Sequence, residues 1–122
     1  MLHLNAFQGL RLVGGFTLRQ VELNPEPMLD PIGRYALAKT RILGREFYIS
    51  ILSSLSDEEI SVTLYHEVLE AMVVASTNPP AILWDFNEGD FERAAHETYR
   101  RFGTASQESL VSMLQFYDFR EE

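Results

Sequence analysis

One stretch constrains the fold of this chain more than any other, the segment from Leu55 to Ala75. Ser56 and Glu59, three residues apart, form a capping box, and Leu55 and Ile60 are placed to close a hydrophobic staple around it. The pattern predicts a helix from about Asp57 to Ala75. At the helical period, Ile60, Leu64, Val68, Leu69, Met72 and Val73 make a wide apolar arc that must be covered by the rest of the chain. The remaining stripe carries Glu59, Thr63, His66, Glu67 and Glu70, and no basic residue balances it.

Around that helix the sequence reads as an α+β protein. Leu10 to Val13 and Phe16 to Leu23 suggest strands broken at Gly14-Gly15, and Asn24-Pro25-Glu26-Pro27 and Asp30-Pro31 punctuate a loop. Arg34 to Ile42 and Glu46 to Leu52 read as a hairpin across Leu43-Gly44-Arg45, with both faces of the second strand largely covered. After the main helix, Thr77-Asn78-Pro79-Pro80 starts an extended connection through Trp84 and Phe86. A second helix is expected from about Gly89 to Phe102, stopped by Gly103. Its apolar stripe is Phe91, Ala94, Ala95, Thr98 and Phe102, with Glu92, His96 and Tyr99 along one margin. A third helix, capped within Thr104 to Ser106, runs to about Tyr117 and packs through Leu110, Val111, Met113 and Leu114. The expected architecture is one domain over residues 1–122, with a small twisted N-terminal sheet followed by three helices around one core.

Composition narrows the function. The net charge of −8 argues against a generic nucleic-acid binder. From Glu46 to Glu92 there is no Lys or Arg, while ten carboxylates fall in the same interval. Carboxylates gathered by folding raise one another's pKa, and a cation relieves them. The absence of cysteine excludes disulfides and thiolate-bound metal. The opening residues lack a signal-peptide pattern, and no apolar run approaches membrane-spanning length, so a cytoplasmic protein without a membrane partner is expected.

His66 and Glu70, at i and i+4, can present two donor atoms to one ion. A catalytic zinc takes three protein ligands and leaves a position open. His96 is the first candidate for the third ligand and Glu92 the second, since both lie at a margin of the second helix where a side chain can face a cleft. His66, Glu70 and His96 would make a set of two histidines and one carboxylate, with Glu67 as the general base that takes a proton from water. Asp85 to Asp90 begins like a calcium loop but has Asp90 where the sharp turn needs Gly and His96 where a bidentate Glu belongs. Asn87 is better read as a helix N-cap, and His3 carries no role.

From Arg34 to Ala75 the chain resembles the compact bacterial and phage zincin-like metallopeptidase families. The strand Phe47-Tyr48-Ile49-Ser50-Ile51 leads through Ser53-Ser54-Leu55-Ser56 into the helix bearing His66-Glu67-Val68-Leu69-Glu70-Ala71. The resemblance implies a zinc-dependent hydrolase acting on a peptide or protein substrate, with His66 as first ligand and Glu67 as base. Glu70 occupies the second ligand position, where the pattern usually has His. Its anionic carboxylate would leave the metal a weaker Lewis acid. Trp84 to Glu122 lies outside the resemblance. The competing expectation is a non-catalytic module of the same fold, whose acidic face binds a partner or closes a dimer.

Overall fold

The computed structural model describes residues 2–29 and 32–120. Asp30-Pro31, expected in a loop, lies outside the described residues. A four-stranded mixed sheet is followed by three helices, which is the α+β architecture expected from the sequence.

The sheet runs in the order β1 (Leu10–Arg11), β2 (Thr17–Asn24), β6 (Glu46–Leu52), β5 (Ala38–Leu43). β6 is the central strand. It pairs with β5 antiparallel, as the expected hairpin, across a turn in which Gly44 takes φ 62°, a conformation that favours glycine. On its other side β6 pairs with β2 in parallel. Between the two paired strands, β3 (Met28–Leu29) and β4 (Tyr35–Ala36) form a small antiparallel sheet of their own. The single strand expected from Arg34 to Ile42 is therefore two, divided after Ala36. The first expected strand is shorter than its apolar residues suggested, because Val13–Gly15 turns as a 3-10 helix with Gly14 at φ 76°.

Alternation along β6 sends Phe47, Ile49 and Ile51 into the core, all but inaccessible to solvent. The opposite face, Tyr48, Ser50 and Leu52, is only partly covered. Directly across from the buried residues of β6 stand Ile42, Thr40 and Ala38 of β5. Cross-strand neighbours share a face, so Thr40 points to the same side of the sheet as Ile49, the side on which α1 packs.

Helix α1 (Asp57–Ala75) begins at the expected capping box, with both Ser56–Glu59 hydrogen bonds formed. It packs against β5 and β6 on one side and against α2 (Glu88–Phe102) and α3 (Gln107–Phe116) on the other. Nine of its residues are buried, including Ser61, Val62, Tyr65 and Ala71 beyond the expected arc. The polar stripe is consequently not a free surface, since Thr63, His66, Glu67 and Glu70 are all half-buried. No helix among the described residues is long and apolar enough to cross a membrane.

Two polar side chains of α1 anchor the turn between α2 and α3. The Tyr65 hydroxyl donates to the Gly103 carbonyl at 2.8 Å and also lies 2.8 Å from Ser109 Oγ. Ser61 Oγ accepts from the Ala105 amide at 3.0 Å. Removing the phenol oxygen leaves the half-buried Gly103 carbonyl without its side-chain partner, while Ser109 Oγ keeps its bonds to Ser106. Tyr65→Phe should therefore lower unfolding stability by about 1–2 kcal/mol. Urea denaturation measures this, and a loss within experimental error would mean that water satisfies the abandoned carbonyl.

Candidate metal centre

Successive residues of a helix are turned by about 100° from one another, while residues four apart nearly eclipse. This sends the side chains of His66, Glu67 and Glu70 to three neighbouring places around α1. Glu67 faces the sheet, where the Thr40 hydroxyl donates to its Oε1 at 2.7 Å. His66 faces α2. Glu70 reaches both the groove between α1 and β5 and the start of α2. One donor atom from each of the three lies within 4.8 Å of the others.

Helix α2 supplies the opposite wall. Its N-cap is Asn87, as expected, in a capping box with Asp90. The helix therefore begins at Glu88 rather than at Gly89, and Glu88, Glu92 and His96 stack on one face at intervals of four. Glu88 Oε2 lies 3.1 Å from His66 Nε2, and Glu92 Oε1 lies 2.8 Å from His66 Nδ1. The Glu70 and Glu88 carboxyls also face each other, so that a proton on Glu70 favours the anion on Glu88.

His96 does not take the place expected for it. Its Nε2 sits 3.2 Å from Glu92 Oε2, and more than half of its side chain is exposed. Glu92 thus stands between the two histidines, one oxygen towards each. The carboxylate that reaches both His66 and Glu70 is Glu88, a residue the sequence reading passed over. Its signal was available, because an N-cap at Asn87 makes Glu88 the first residue of the helix. Thr40 had no comparable signal. Only the pairing of β5 with β6 brings it beneath α1.

The electrostatics follow from crowding. Among the described residues no Lys or Arg pairs with Glu67, Glu70, Glu88 or Glu92. Burial pushes the Glu70 carboxyl up, helped by its hydrogen bond to Glu88 and by the charges of Glu88 and Glu67, to about 8. The bond from Glu70 holds Glu88 below its ordinary value, against some burial and with help from His66. A place at the first turn of α2 also favours the anion there. Burial opposes protonation of His66, but the Glu92 hydrogen bond and the charges of Glu67, Glu70 and Glu88 outweigh it, and its pKa is raised. Two carboxylate acceptors on one ring match an imidazolium, which donates from both nitrogens.

These shifts determine a pH response. Glu70 and His66 both bind protons more tightly in the folded chain than in the unfolded one. The stability they contribute is complete below their ordinary values of 4.5 and 6.5 and is lost as pH rises through the folded values. Glu88 has the opposite sign but acts below 4.5. The metal-free protein should lose thermal stability steadily between pH 4.5 and about 8, and Glu70→Gln should flatten most of that slope. A melting temperature that holds constant or climbs over this range would contradict the assignment.

The groove beside the cluster has a volume of about 310 Å³. Glu67, Glu70, Lys39 and Thr40 line it together with the apolar residues Leu29, Ala36, Ile42 and Val74. The donor set fits a divalent cation. One donor atom each from His66, Glu67 and Glu70 lies within 4.8 Å of the others, Glu88 reaches His66 from α2 at 3.1 Å, and among the described residues no Lys or Arg is ion-paired with these carboxylates. No family model, curated protein or solved structure matches this chain, so the reading of the centre rests on this geometry.

Proposed function

We propose that the chain is a zincin-like metal-dependent hydrolase acting on peptides. His66, Glu70 and Glu88 hold the cation, Glu67 is the general base and Glu92 orients His66. The observation that carries this reading is the convergence of donor atoms from His66, Glu67 and Glu70 within 4.8 Å of one another, with Glu88 Oε2 facing His66 Nε2 at 3.1 Å from α2. When bound, a divalent cation supplies Lewis-acid polarisation of a carbonyl and makes a water more acidic.

The remaining chemistry belongs to the chain. Glu67 lines the groove, and the Thr40 bond on one of its oxygens fixes the carboxylate plane while leaving acceptor capacity for a proton. Glu92 accepts from His66 Nδ1, which sets the tautomer and leaves Nε2 as the ligand atom. β5 is an edge strand of the sheet, and among the described residues no strand pairs with its outer side. An extended peptide could pair with that backbone above the apolar groove.

A second reading is favoured by the exposure of Glu88 and Glu92, at 76% and 52% of their side-chain surface. These carboxylates could instead form an acidic docking face for a basic partner or a second copy. Metal content of protein purified without an affinity tag or chelator separates the two, combined with peptide hydrolysis before and after chelation. Stoichiometric metal and chelator-sensitive hydrolysis are expected. Protein that is metal-free, inactive and unchanged by added divalent ions would leave the docking face alone.

A further inference from the structure

We infer that this centre favours zinc over manganese(II)-class ions by a much narrower margin than a two-histidine centre does. The inference rests on the metal-centre reading above and concerns which ion the donor atoms select.

Only one nitrogen is offered. His66 Nδ1 is held by Glu92 at 2.8 Å, so the ring can give Nε2 alone. The other imidazole nearby, His96, is turned to the far oxygen of Glu92 at 3.2 Å and is more than half exposed. The second imidazole therefore stands outside the centre. The other donors within reach, from Glu70, Glu88 and Glu67, are all carboxylate oxygens.

Imidazole suits zinc, whereas carboxylates and water suit manganese, magnesium and calcium. Any site of nitrogen and oxygen donors still binds zinc more tightly than manganese in absolute terms, because affinity rises along the first-row series. The donor set changes the margin. Replacing a neutral imidazole by a carboxylate trades a softer donor for a hard charged one, which narrows zinc's advantage. Openness acts in the same direction. The Glu88 side chain is 76% exposed, so solvent can complete a six-coordinate shell, which a harder ion prefers to a closed tetrahedral one.

The test compares ion preference in the full chain for wild type, Glu70→His and His96→Ala. Bound manganese is followed by loss of the free-ion paramagnetic resonance signal, and zinc by its displacement of manganese. Glu70→His should move the zinc-to-manganese affinity ratio towards zinc by about tenfold or more. His96→Ala, a change at an exposed position, should leave the wild-type ratio unaltered. A ratio equal in wild type and Glu70→His would overturn the inference while leaving the metal centre standing, as would a fall in the ratio on removing His96. If neither ion binds wild type at millimolar concentration, the metal-centre reading fails as well.

Discussion

Glu67→Gln should lower peptide hydrolysis by about 10²- to 10⁴-fold, the range a positioned general base supplies, and leave folding and metal affinity almost unchanged. The amide has nearly the shape of the carboxylate. Its carbonyl oxygen can still accept the Thr40 hydroxyl, now 2.7 Å from Glu67 Oε1, so the side chain keeps its orientation. What it cannot do is accept a proton from water. The loss should therefore fall on kcat rather than on KM. Metal titration of the variant is the necessary companion measurement. Because a donor atom of Glu67 lies within 4.8 Å of donors from His66 and Glu70, the carboxylate could serve as a ligand. If the variant loses metal together with activity, Glu67 is a ligand and the base must be sought elsewhere. If activity persists at the wild-type level, Glu67 has no part in the chemistry.

The second large effect is on stability. A cation that binds only the folded chain stabilises it by mass action, about 2.7 kcal/mol at a hundred times its dissociation constant. For a chain of this size that raises the melting temperature by roughly 10 °C. Here the gain has an identifiable source. Metal-free, the centre confines carboxylates with no Lys or Arg partner among the described residues, and protons on Glu70 and His66 relieve the strain. As pH rises through about 8 the Glu70 proton leaves, so the cation's contribution should be largest above that pH and smaller near pH 5. His66→Ala should abolish the response, since it removes the imidazole whose Nε2 faces Glu88 and whose Nδ1 is held by Glu92. Neutralising Glu67 and Glu70 together should make the metal-free protein more stable by relieving repulsion, and indifferent to added ion. Equal melting curves for wild type with and without divalent ions would exclude the centre.

Much of the architecture was legible because it is encoded locally. The capping box at Ser56 and Glu59 sets the start of α1, and that at Asn87 and Asp90 sets the start of α2. Gly103 ends α2 with φ 75°. Such signals involve residues three or four apart, and their hydrogen bonds form within a single turn. The alternation of Phe47, Ile49 and Ile51 likewise marks the buried face of β6, although the opposite face, expected to be largely covered as well, is only partly so. The parallel pairing of β2 with β6, and the division of the Arg34–Ile42 segment into β4 and β5, depend on long-range register and left no local mark.

The same division runs through the centre. By itself the sequence determined that His66 and Glu70 share a face of α1 and that Glu67 lies beside them, because helical spacing alone places them so. It also determined that Glu88, Glu92 and His96 share a face of α2 once Asn87 is taken as the cap. Which of those three meets α1, and through which atom, was decided only by the packing of the two helices. The i+4 stack offers three candidates at successive turns, and the sequence contains nothing that ranks them. In the fold, the first two turns of α2 meet His66, with Glu88 at Nε2 and Glu92 at Nδ1, while His96 lies further along beside the other oxygen of Glu92. Thr40 joins Glu67 for a similar reason, since a strand residue is aimed at a helix only once the sheet's register and the face that packs are both set.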